Sequence, residues 1–117
     1  MTSSPDCLFC KIVAGKINAD IVHENDSVVA FRDINPQAPS HVLIIPRNHV
    51  ATINDLTESQ ASDVGQIFLA AKEVAKMEGL EERGYRVVMN CMEGAGQSVF
   101  HIHLHLLGGR SLRWPPG

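Results

Sequence analysis

Phe100-His101-Ile102-His103-Leu104-His105-Leu106-Leu107 alternates with a period of two, histidines on one side and Ile102, Leu104 and Leu106 on the other. That is the pattern of a pleated strand with a buried apolar face. On such a strand His101, His103 and His105 project from one face about 6.6 Å apart in succession, a line of three imidazoles above the backbone. A lone strand histidine is ordinarily a satisfied surface or core residue. Three in series, alternating with buried aliphatics, point to chemistry, because imidazole titrates near neutrality and carries a nitrogen lone pair when neutral.

Immediately upstream lies Glu93-Gly94-Ala95-Gly96-Gln97-Ser98-Val99. Two glycines let successive N–H groups turn toward one point, and such a nest binds phosphate oxygens. Alone, a glycine-rich loop is usually a plain turn. Its place before the histidines sets oxyanion donors beside a nucleophile.

Working outward, Leu8, Phe9, Ile12 and Val13 before Gly15 suit a short helix over residues 7–14 with one buried face. Residues 21–23 and 27–32 flank Glu24-Asn25-Asp26, a turn composition, and read as a hairpin. The run 41–45, stopped by Pro46, and residues 85–90 read as buried strands. The clearest helix starts at Thr57, with Gln60 closing a capping box and Leu56 placed for a staple. Ala61, Val64, Ile67, Phe68, Ala71, Val74 and Ala75 recur at helical spacing until Gly79, so this helix should lie on a sheet. Short strands, few crossover-length connections and one long helix predict an antiparallel α+β fold, a single domain over 1–117.

The 117 residues, 44% of them hydrophobic, suffice for a core of their own. A net charge of −3 supplies no basic field for nucleic acid, while small anions remain possible ligands. The start, Met1 to Asp6, shows neither a basic stretch nor an apolar segment after it, and no run approaches bilayer length; a cytoplasmic protein without membrane contact is expected. Three cysteines disfavour a disulfide framework. Cys7-Leu8-Phe9-Cys10 lets two thiolates meet one zinc, but it is half a site; the pair could equally be two buried thiols packing as small hydrophobes.

The run His101 to Leu107 resembles the signature of the histidine-triad superfamily. Gly96 to Phe100, Gly108-Gly109-Arg110 and Trp114-Pro115-Pro116-Gly117 look like its Hint branch, the purine nucleoside phosphoramidases. So do Phe31-Arg32-Asp33-Ile34-Asn35-Pro36-Gln37-Ala38-Pro39 and His41 to Pro46, and the likeness runs from about Cys7 to Gly117.

The resemblance implies a homodimer whose antiparallel sheets, each with a long and a short helix, join into one extended sheet. It implies a hydrolase for purine nucleoside phosphoramidates, releasing the nucleoside monophosphate and needing no organic cofactor. By matching position, His103 would attack phosphorus to form a nucleotidyl-histidine, splitting one displacement into two easier ones. His101, His105 and His41 would complete the catalytic group. Ser98 with the amides of Gly96, Gln97, Ser98 and Val99 would hold the phosphate and serve the leaving amine. Asp33 would take the ribose hydroxyls, Asn90 would help at phosphate and ribose, and Ile34 would border the nucleotide. Leu8, Phe9, Ile12, Ile17, Phe31 and Leu43 would wall the base, and Trp114 would reach toward the partner's site.

The resemblance also completes the half site: some bacterial members bind structural zinc through such a cysteine pair and two histidines matching His49 and His101. Animal Hint proteins lack the pair. Cys91-Met92 also departs from the family, where a smaller residue is common. Competing readings are a dinucleoside polyphosphate hydrolase, a zinc-dependent hydrolase and a nucleotide-binding module with little catalysis.

Overall fold

The computed structural model describes residues 2–117. Five strands form one sheet: β1 (Ile21–Glu24), β2 (Val28–Arg32), β3 (Ser40–Pro46), β4 (Tyr85–Val88) and β5 (Leu104–Gly108). Their order is β1-β2-β3-β5-β4, every pairing antiparallel. A short helix α1 (Leu8–Val13) and a long helix α2 (Ala61–Met77) complete the α+β fold that the sequence predicts. No helix among the described residues is long and apolar enough to cross a membrane.

The pleat sorts the sheet into two faces. Val28, Ala30, Val42, Ile44, Leu104 and Leu106 pack with Ile67, Ala70, Ala71 and Val74 of α2. The alternate set, Val29, Phe31, Leu43 and Ile45, packs with Cys7, Phe9, Cys10 and Ile12 around α1. Burial on both faces explains the continuous apolar run of β3.

The hairpin forms where its turn composition places it: the Asn25 side-chain oxygen accepts from the Ser27 and Val28 N–H groups at 2.8 and 3.0 Å. The capping box also forms, with the Thr57 N–H donating to Gln60 Oε1 at 2.7 Å. Residues 58–60, however, wind as a tighter 3₁₀ turn, so α2 proper starts at Ala61. Phe68, expected on the buried stripe, is 49% exposed, because burial follows Ile67, Ala70, Ala71, Val74 and Ala75. Strand β4 ends at Val88 and is exposed to half-buried, for it lies at the edge of the sheet.

The histidine run also departs from expectation. Only residues 104–108 join the ladder as β5. The Ile102 N–H donates instead to the Val50 carbonyl at 2.8 Å, which turns residues 100–103 away from β3. The alternation of faces survives: Ile102, Leu104 and Leu106 are buried in the α2 core.

Two contacts fix the ends of the sheet. Glu78, just past α2, receives both terminal nitrogens of Arg32 at 2.7 and 3.0 Å and the Ser40 hydroxyl at 2.8 Å. Arg32 and Ser40 hold the Glu78 carboxyl below its usual range, and the clamp grips both ends of the 33–39 loop. At the end of β5, a Cβ on Gly108 would stand 2.7 Å from a Leu80 methyl, so any larger residue there would require the Leu80 side chain to move.

Candidate active site

Between α1 and the second sheet face opens a cleft of about 620 Å³. Leu8, Phe9, Ile12, Ile17, Phe31 and Leu43 form its apolar walls. Asp33, Ile34, Ser98, Val99, His103 and His105 border it too. His41, His101, Asn90, Gly96 and Gln97 do not line it. The cleft also includes Asn18, Ala19, Asp20 and Arg32, which carry no local signal in the sequence. Arg32 Nε and Asp20 Oδ2 stand 3.7 Å apart across the hairpin, a tertiary pairing that no spacing announces.

Hydrogen-bond partners assign the imidazole tautomers. His103 Nδ1 lies 2.7 Å from the His101 carbonyl, which can only accept, so Nδ1 carries the proton. Nε2 of the neutral ring is then a bare lone pair at the cleft. Burial lowers the His103 pKa and keeps the ring neutral, the form a nucleophile requires. The edge of Phe9 meets this ring, centroids 5.0 Å apart, and fixes its plane.

A second chain of donors starts at the backbone. The Gln37 N–H donates to His41 Nδ1 at 3.0 Å, which places the His41 proton on Nε2. That Nε2–H faces His105 Nδ1 at 2.9 Å and Asp33 Oδ2 at 3.4 Å. His105 must accept at Nδ1, so its own proton sits on Nε2, and the ring lies beside His103, tilted by 58° with centroids 5.0 Å apart. The result is an imidazole with a free lone pair next to a ring that offers an N–H.

Burial, then the His103 and His41 rings, push His105 down to about 4, with Asp33 partly opposing. Burial lowers His41 as well. A histidine depressed in the folded state is charged first in the unfolded chain, so its stabilising contribution is complete above about pH 6.5 and fades as pH falls toward 4. His105→Gln should flatten the dependence of the urea midpoint on pH across this window. A slope equal to the parent's would contradict the assignment.

In the 93–99 loop the accounting of backbone donors is uneven. Gly96 N–H bonds the Glu93 carbonyl at 2.9 Å and Gln97 N–H the Met92 carbonyl at 3.1 Å. The Ser98 and Val99 N–H groups have no acceptor among the described residues. Gly96 takes φ +97°, a conformation that suits glycine, and the Asn90 side chain approaches it. Ser98 and Val99 border the same cleft as His103, so their amides are available there to an oxyanion.

Behind His103, α1 delivers Cys7 and Cys10 to His49 and His101, whose donor atoms all lie within 4.8 Å of one another. Cys7 Sγ to His101 Nδ1 is 3.4 Å, Cys10 Sγ to His49 Nδ1 is 3.3 Å and His49 Nδ1 to His101 Nδ1 is 3.2 Å. Bonds of about 2.3 Å to sulfur and 2.0–2.1 Å to nitrogen put tetrahedral donors about 3.3–3.8 Å apart, so the spacing fits a four-coordinate ion. His101 Nε2 donates to the Pro46 carbonyl at 2.8 Å, which leaves its Nδ1 lone pair facing the cluster. The Cys10 and Ser4 N–H groups donate to Cys7 and Cys10 sulfur at 3.3 and 3.4 Å.

The HIT domain family is matched over residues 14–112. The chain belongs to the HIT domain family. Among relatives, the purine nucleoside phosphoramidase of Escherichia coli K12 is 47% identical over 107 residues, 92% of this chain and 90% of that protein. The 14 kDa zinc-binding protein of Zea mays is 49% identical over 112 residues, 94% of this chain and 87% of that one. The crystal structure of a HIT family hydrolase from Legionella pneumophila superposes with a TM-score of 0.94 at 55% identity, covering 96% of this chain and all of that one. This HIT domain is that of a hydrolase.

Proposed function

We propose that this HIT hydrolase cleaves the P–N bond of purine nucleoside phosphoramidates through a nucleotidyl-histidine on His103. The observation that carries the reading is the His101 carbonyl on His103 Nδ1, which leaves Nε2 free and neutral at the cleft. Nε2 attacks the α-phosphorus, the P–N bond breaks, and the departing nitrogen takes a proton relayed from solvent through the Ser98 hydroxyl and leaves as the amine. Water then attacks phosphorus, breaks the P–Nε2 bond and releases the nucleoside monophosphate with the free histidine.

Other groups divide the remaining work. His105 Nε2–H, set by His41, donates to a phosphoryl oxygen, while the Ser98 and Val99 amides hold the charge that develops. The Ser98 hydroxyl serves the leaving amine. Asp33 accepts from the ribose hydroxyls, and the Phe9, Phe31 and Leu43 wall takes the base. Asn90 supports the loop and phosphate from the Gly96 side.

Zinc suits the Cys7, Cys10, His49 and His101 donors, and four protein ligands close its shell, so it would supply folding energy and no chemistry. A homodimer is part of the same reading, supported by the edge position of β4 and the exposed Phe68 and Leu69 of α2.

Adenosine 5′-monophosphoramidate should be turned over with kcat/KM at least about tenfold above that for a diadenosine polyphosphate, a difference of roughly 1.4 kcal/mol in transition-state binding. The reverse order would favour the polyphosphate reading. Binding of nucleoside monophosphate with neither turnover would favour the module.

A further inference from the structure

We infer that Gln97 is a positioning residue which shapes the phosphate site through its side chain and touches no ligand itself. The inference rests on the reading of the 93–99 loop as the phosphate site. Gln97 is 2% exposed and does not border the cleft, although the two residues after it, Ser98 and Val99, do.

The side chain is fully engaged with backbone. Its Oε1 accepts from the Met92 N–H at 2.8 Å, and its amide nitrogen donates to the Ala51 and Val99 carbonyls at 2.8 and 3.1 Å. The orientation is unambiguous, since an N–H must face oxygen and two carbonyls must face the NH₂ group. One buried amide thus ties the start of the loop, its end, and the segment after His49 and Val50 that packs alongside.

What this bracing holds is a conformation the loop would not keep unaided. Met92 sits at φ 72°, the one residue other than glycine with positive φ among the described residues. Side chains with a Cβ seldom adopt this backbone. Met92 keeps it because three bonds converge there: its N–H on Gln97 Oε1, and its carbonyl on the Ala95 and Gln97 N–H groups, each at 3.1 Å. The same turn spends the Gly96 and Gln97 amides internally and leaves without an acceptor those of Ser98 and Val99, which border the cleft with His103. Gln97 therefore determines which amides the phosphate meets.

The variant Gln97→Glu keeps shape and the acceptor for Met92 but presents a carboxylate to the Ala51 and Val99 carbonyls. Misplacing oxyanion donors should lower turnover of adenosine 5′-monophosphoramidate about 10- to 100-fold. AMP affinity should fall at least about fivefold, while adenosine, which has no phosphate, should bind within about twofold of the parent. A role in general stability would weaken both ligands alike, and that result would overturn the inference; so would turnover within threefold of the parent.

The parent supplies a test that needs no variant. On titration with AMP, the Ser98 and Val99 amide resonances should shift most in the loop, with the Gln97 side-chain amide little moved; the opposite pattern would make Gln97 a direct ligand. Should the parent turn over no phosphoramidate, the proposed function fails, yet the comparison of AMP with adenosine still decides the role of Gln97.

Discussion

His103→Ala should lower phosphoramidate turnover by at least about 10³-fold while nucleoside monophosphate affinity stays within about tenfold of the parent. The substitution removes the nitrogen proposed to bond phosphorus and leaves the Ser98 and Val99 amides, the Asp33 carboxylate and the apolar wall in place. One neutral hydrogen bond is at stake in binding, worth about 0.5–1.5 kcal/mol, whereas the whole covalent route is lost in turnover. The fall is bounded because the remaining donors still stabilise developing charge. Turnover within tenfold of the parent would give His103 another role.

Cys7→Ser should have the largest effect on stability. Its sulfur stands 3.4 Å from His101 Nδ1, so the change removes one donor of the proposed zinc quartet, while a serine hydroxyl can still accept the Cys10 N–H as the helix cap. Metal affinity is folding energy when the unfolded chain lacks the site. The melting temperature should fall by on the order of 10 °C, with bound zinc well below one per chain. Turnover of the protein that remains folded should stay within about threefold, because a closed four-ligand shell offers no place for substrate or water. Loss of rate at unchanged melting temperature would contradict a structural ion.

The period-two alternation at 101–107 made the site legible in the sequence, and for a robust reason: sidedness depends on the pleat, which persists even where residues 101–103 leave the ladder. The apolar walls were legible for a weaker one. Leu8, Phe9, Ile12, Phe31 and Leu43 lie on the faces that helical and strand periods select, but those periods do not say which residue borders a cavity and which fills the core.

Other features carry no signal in local sequence. The free amides of the phosphate loop follow from a tally of partners, and Gln97, whose sequence neighbours suggest a ligand contact, spends its side chain on Met92, Ala51 and Val99. The proposed metal quartet spans the chain: His49 and His101 lie 39 and 91 positions from Cys10, so local spacing shows only the cysteine pair and the family resemblance supplied the two histidines. Arg32 and Asp20 meet at the cleft because the hairpin folds them together, and Phe68 was misplaced because a helical stripe can be wider than the sheet beneath it.

The central claim is that phosphorus is carried on His103, and trapping the intermediate tests it most directly. The parent enzyme, quenched in acid-free denaturant during turnover of adenosine 5′-monophosphoramidate and digested, should carry one adenylyl group on the peptide containing residues 101–105. Fragmentation should place it on the His103 ring, and His103→Ala should carry none. An adduct on His101 or His105, or a rapid steady state with no adduct on any histidine, would contradict the account.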